Sequence, residues 1–200
     1  MIPVAIARQL SAAVKALLVL TVLLGVIYPA VILAVGLLAP GQANGSLITV
    51  RGTVVGSSLL GQAAQGPQWF RARPSVSDQS GETSGGSNLG PDAADLEKAV
   101  AERAAALRAA NPDAPATIPP DALTASGSGL DPHISPEYAA YQVRRVAAAR
   151  GMSDEQVQRV VAAHTRHATL GFIGQDRVDV TELNVALEAA DPSSPSRRRR

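Results

Sequence analysis

The sequence predicts an α+β fold: one N-terminal transmembrane helix, then a single extracytoplasmic domain with a small β element and several helices. Three observations predict it. Ala16 to Ala39 is a run of 24 residues without a charge, two short β-prone runs follow it closely, and apolar residues at helical spacing with clear caps fill the second half.

As a helix, Ala16–Ala39 reaches about 36 Å, enough to cross a hydrocarbon core of roughly 30 Å with some tilt. A cleaved leader also has a basic start and an apolar run, but its apolar region is normally about 7 to 15 residues, which favours a retained span. Arg8 and Lys15 precede the run, whereas the next cation after it is Arg51. Positive charge prefers the cytoplasmic side, so residues 1–15 are expected inside and residues 40–190 outside, with an Arg-rich tail over 191–200 expected to be disordered. Within the span, Thr21 and Gly25 are two small residues on one face, and Tyr28-Pro29 interrupts the backbone ladder. Both features suit a neighbouring helix, although a lipid-facing anchor can carry them too.

Leu47–Val50 and Thr53–Val55 read as a hairpin turned by Arg51-Gly52. A further extended piece is expected at Gln68-Trp69-Phe70, and the polar, glycine-rich stretch from Pro74 to Gly90 reads as a loop. Leu96, Val100 and Leu107 mark a helix between Pro91 and Asn111-Pro112. Ser135-Pro136-Glu137 opens another, with Tyr138, Val143 and Val146 inward and Gly151 as its stop. Ser153 with Gln156 is a capping box for a third, carrying Val157, Val160, Val161 and His164 on its apolar face. A short strand near Leu170–Ile173 and a last helix with Leu183 and Leu187 complete the domain.

Composition excludes several functions. Residues 40–196 hold 12 Lys and Arg against 17 Asp and Glu, a net of −5, which argues against nucleic acid as a partner. There is no cysteine, hence no disulfide or thiol chemistry. Only Lys15 and Lys98 are lysines and no GxxxxGK[ST] loop occurs. His164 and His167 are spaced to share a metal, yet no third ligand stands near them in sequence, so they read as a structural pair. Ser126 and Ser128 lie in Ala-Ser-Gly-Ser-Gly, which is not a GxSxG elbow; a hydrolase using them with Asp131 and His133 is the enzymatic alternative. Two long loops stand out as candidate partner surfaces: Ser75 to Gly90, containing Ser84, Gly85, Gly86, Ser87 and Asn88, and Asp121 to Pro136, containing Ser126, Ser128, Asp131 and His133.

Taken together, Tyr28-Pro29 in a single span, QANGSL (Gln42–Leu47, with Gln42 and Asn44), GSSLLGQ (Gly56–Gln62), FRARPS (Phe70–Ser75, with Arg73), SGGSN (Ser84–Asn88), TASGSGLDPHISP (Thr124–Pro136), QVRRVAAARG (Gln142–Gly151) and LNVAL (Leu183–Leu187) closely resemble the KdpC family of the Kdp potassium-transporting ATPase, in matching order from about residue 10 to 188. The resemblance implies a non-catalytic accessory subunit in the plasma (inner) membrane of a prokaryote. Its partners would be a multi-span potassium-conducting subunit and a P-type ATPase subunit. ATP and potassium would belong to the complex and no cofactor to this chain, which has neither a TVGYG filter nor a DKTGT motif. The family has been described as a catalytic chaperone that raises nucleotide affinity of the ATPase subunit. On the expected topology SGGSN faces away from cytoplasmic ATP and lacks a lysine, so indirect coupling is the easier route. Two positions depart from the family pattern: Asp179, where RVNV is usual, and Ala39, where an aromatic is usual. A stand-alone anchored binding domain is the remaining alternative.

Overall fold

A computed structural model describes residues 4–191 as two separate units, divided after Ser46. The expected tail lies outside the described residues except for Asp191, which is buried and belongs to the folded domain.

The first unit is built on a helix over Val4–Gly36, long and apolar enough to cross a membrane, with its apolar side chains unburied. It starts well before the uncharged run, so Arg8 and Lys15 ride on the helix; both are good helix formers with stems that can lie along apolar surface. α1 (Val4–Val22) and α2 (Tyr28–Gly36) are joined by a π-helical turn, Leu23–Ile27. Pro29 explains the turn: it has no N–H to donate, and its ring would press on the carbonyl four residues back. Widening the preceding turn, with Tyr28 N–H reaching back five residues to Leu23 O, relieves that crowding without ending the helix. A short α3 (Pro40–Ala43) follows.

The second unit opens with the expected hairpin, β1 (Leu47–Val50) against β2 (Thr53–Ser57). Arg51 and Gly52 both have positive φ, 53° and 80°, the pair of left-handed residues that a tight hairpin turn needs. No strand forms at Gln68–Phe70, for a reason that belongs to the site described below. α4 (Ala94–Ala110) buries Leu107, and a short α5 (Pro120–Leu123) follows it.

α6 (Pro136–Arg150) begins where Ser135 accepts from Tyr138 N–H and ends at Gly151, whose φ is 62°. The full capping box of Ser153 and Gln156 starts α7 (Asp154–Ala163), which buries Val157 and Val161. α8 (Val180–Ala190) is capped by Asp179, whose carboxylate accepts from Glu182 N–H. Asn caps a helix as well as Asp does, so Asn at position 179 would keep this role.

The strand expected near Leu170–Ile173 is absent. That segment is an exposed turn closed by a bridge between Thr169 and Ile173. The sheet forms on either side of it instead: β5 (Arg177–Asp179) sits between β3 (His133–Ile134) and β4 (Thr165–Arg166), antiparallel to both. One core unites these pieces, with Phe70, Val146, Val157, Val178, Leu183 and Leu187 fully buried.

Candidate partner interface

The site is built from a segment that has lost its neighbouring strands and found side chains in their place. Phe70 N–H donates to Asn184 Oδ1 at 2.9 Å, and Asn184 Nδ2 returns a bond to Phe70 O. On the other side Arg71 N–H donates to Gln142 Oε1, and Gln142 Nε2 donates to Arg71 O. An amide carries the same donor and acceptor as a peptide group, so α6 and α8 satisfy the backbone as a sheet would. Hence Gln68–Phe70 joins no ladder.

Two arginines of α6 extend the clamp. Arg145 donates to Asn111 Oδ1, Pro67 O, Trp69 O and Gln142 Oε1, all neutral acceptors. Burial, and then the nearby Arg71 charge, pull its guanidinium down to about 10, which leaves it a cation at neutral pH. Arg150, with a side chain 2% exposed, donates to Gln68 O, pairs with Glu188 and Asp191, and stacks 4.5 Å over Trp69. Sequence reasoning missed these roles. The available signal was that Gln142, Arg145 and Arg150 share the inward stripe of Tyr138 and Val146.

Anchored in this way, the chain runs through Arg73 into the first long loop, and the two loops bond to each other. Ser126 N–H donates to Pro74 O, Gly85 N–H to Ser128 O at 2.8 Å, and Ser75 Oγ to Gly129 O at 2.7 Å. Ser84 Oγ also donates to Ser128 O. Gly86 lies so close to Gly127 that a Cβ placed there would sit 2.9 Å from its carbonyl oxygen. Gly129, at φ 71°, has the same restriction against Gly85 O. The glycines are therefore the points at which two backbones meet.

Arg73 ties the junction down. Its Nη2 donates to Thr124 and Ala125 carbonyls, and its Nη1 lies 3.6 Å from Asp131 Oδ2. Asp131 also accepts from His133 N–H at 2.9 Å and lies 3.3 Å from its Nδ1. Burial alone would raise the Asp131 carboxyl, but hydrogen bonds from His133 and the His133 and Arg73 charges outweigh it and hold the group below its ordinary value. His133 itself is paired in register with Asp179 across β3 and β5.

Of the residues singled out in the sequence, Arg73, Ser84, Gly85, Gly86, Ser126, Ser128, Asp131 and His133 are brought together here. Ser87 and Asn88 continue outward from the junction as exposed residues. Gln42 and Asn44 lie in and just after α3, in the other unit. Thr21, Gly25, Tyr28 and Pro29 are exposed on the long helix, and a Cβ on Gly25 would meet nothing within 4 Å.

The serine hydroxyls do turn work. Ser126 Oγ accepts from Gly129 N–H and Ser128 Oγ from Leu130 N–H, while the two hydroxyls lie 3.3 Å apart. Ser126 is 3% exposed, and among the described residues no histidine ring hydrogen-bonds either hydroxyl. His164 and His167 do not converge: His164 Nδ1 lies against Val160 O and His167 Nδ1 against Asp176 Oδ2. No group of three candidate metal ligands occurs among the described residues.

Residues 10–189 match the family model described as K+-transporting ATPase, c chain. The potassium-transporting ATPase KdpC subunit of Kineococcus radiotolerans is 53% identical over 92% of this chain and 95% of its own length. Those of Beijerinckia indica and Sorangium cellulosum are 49% and 51% identical over comparable shares, 92% and 91% of this chain and 95% and 98% of theirs. A chain that matches the family model and these relatives along almost its whole length belongs to the KdpC family, the c chain of the K+-transporting ATPase.

Proposed function

We propose that this chain is the accessory, non-catalytic subunit of an ATP-driven potassium-uptake complex, assembling and stabilising it by presenting the loop junction to a multi-span potassium-conducting subunit. The observation that carries this reading is the junction itself: the long loop before α4 and the segment 124–132 between α5 and β3 are fixed to each other by backbone bonds at Gly85–Ser128 and Ser126–Pro74, and they present Gly127, Ser128, Ser84 and Ser87 at the surface. Loops that only connect need no such mutual bonding. The anchor helix would pack beside the same partner through its Thr21 and Gly25 face, with the N-terminus cytoplasmic and the domain outside.

An effect on ATP affinity of the P-type ATPase subunit would then pass through neighbouring subunits. Supporting the indirect route, Gly85 N–H is already engaged by Ser128 O, so this amide of the glycine-rich segment is not free to cradle phosphate.

The test is co-purification in mild detergent from cells that also express the other subunits. A Gly86→Ala chain must push Gly127 away, and it is expected to be recovered with at least several-fold less of its partners than the parent chain at a temperature where both chains remain folded. Full recovery of the complex with Gly86→Ala removes the junction from the interface. Recovery of the parent chain alone removes the proposal.

A further inference from the structure

The turn between β4 and β5 is built unlike a soluble surface. From Ala168 to Gln175 it carries no charge, and its apex projects Leu170, Phe172 and Ile173, which are 78%, 76% and 53% exposed. The apex is a formed turn: Thr169 and Ile173 exchange backbone bonds, and Gly171 and Gly174 have φ of 79° and 88°. Its base is polar and tied to the domain. Arg166 donates to both carboxylate oxygens of Glu182, His167 Nδ1 lies 2.8 Å from Asp176 Oδ2, and Asp176 accepts from Ala168 N–H. Arg177, half-buried beside them, makes no ion pair among the described residues. The result is a small apolar knob above a collar with one uncompensated positive charge.

We infer that this knob inserts into the headgroup–acyl boundary of the bilayer that holds the N-terminal helix, with Leu170, Phe172 and Ile173 among the acyl chains and Arg177 at the level of anionic headgroups. Two observations favour lipid over a protein partner. The apex is three side chains on one tight turn, far narrower than the roughly 800 Å² per partner that a specific protein interface covers, whereas a bilayer accepts a point insertion. The collar carries one cation left without an ion pair among the described residues, Arg177, while Arg166 and His167 are matched by Glu182 and Asp176, so its net charge complements anionic headgroups. Tethering supplies the opportunity, because a domain joined to a spanning helix always has the bilayer at high effective concentration. The inference rests on that anchoring, which the experiment reads separately.

The chain has no cysteine, so a single introduced thiol can be labelled cleanly. The full chain is reconstituted in vesicles of phosphatidylcholine with a minority of phosphatidylglycerol. Nitroxide labels at Val19→Cys, Phe172→Cys, Leu170→Cys and Ser87→Cys are then compared for collision with oxygen and with a water-soluble nickel complex. Insertion gives an oxygen-to-nickel ratio at Phe172 and Leu170 several-fold above that at Ser87, approaching that at Val19. Nickel access at Phe172 and Leu170 with lipid-like values at Val19 overturns the inference and leaves the anchor intact. Shielding of the tip from both reagents means that protein covers it, and also overturns the inference. Nickel access at Val19 removes the anchor and the inference together.

Discussion

At the scale of single residues, the amide clamp and two carboxylates make the sharpest predictions. Gln142 is buried and serves both polar groups of Arg71 as well as Arg145. Gln142→Ala strands these groups, and at roughly 1 to 3 kcal/mol for each buried unmade bond the expected loss is about 3 kcal/mol. Urea unfolding of the full chain followed by Trp69 fluorescence measures it, since Trp69 lies beside the clamp. Asp131 and Asp179 should respond to acid in opposite senses. The Asp131 carboxyl is held below its ordinary 3.8, so the stability it supplies is present above that value and is lost as pH falls through the folded-state value. Asp179 is pushed up, by burial first and by Glu182 among lesser causes, so its effect is a loss of stability as pH rises above 3.8. Acid-unfolding curves should therefore show Asp131→Asn destabilised at neutral pH and less sensitive to acid. Asp179→Asn should be as stable as the parent or more so at neutral pH, because the helix cap survives. The clamp was only half legible in the sequence: the inward stripe of α6 marks Gln142 as facing the core, but the peptide group it serves lies 71 positions away and leaves no local pattern.

Elements were legible in proportion to how local their causes are. Helix ends declared themselves because cap and capped amide lie three residues apart, as at Ser135 with Tyr138 and Ser153 with Gln156. Ser135 also donates to Asp121 Oδ1, so Ser135→Ala removes a cap and a tertiary bond. A cost of about 1.5 kcal/mol in thermal or denaturant unfolding is expected, toward the upper half of the range for cap deletions. The hairpin was legible for the same reason, through Arg51-Gly52. The three-stranded sheet was not: its strands are two or three residues long, and β3 finds β5 across more than forty positions, too short and too distant to leave a pattern. Leu170–Ile173 looked like a strand because it is apolar, yet it is apolar and exposed, the reverse of what strand periodicity assumes. In the long helix, Tyr28-Pro29 announced an interruption, but only the structure shows that the ladder widens into a π turn and continues.

For the whole molecule, the separation into a long apolar helix and a following α+β domain was readable from one uncharged run, whereas the joining of two remote loops into a single surface was not. Topology has a direct measurement. Protease added to intact spheroplasts should remove the domain and leave a protected fragment containing Val4–Gly36; a domain that resists until the cells are broken places it on the other side. The embrace of Phe70 by Asn184 spans 114 positions and comes from the last helix of the described chain. A ribosome must therefore deliver nearly the entire polypeptide before the first third of the domain has anything to settle against. Halting synthesis just after Asp179 should leave a product that proteases digest throughout and in which Trp69 emits as in water, while stopping at Asp191 should leave a compact, resistant one. The domain would thus mature all at once, and not piece by piece from its leading end.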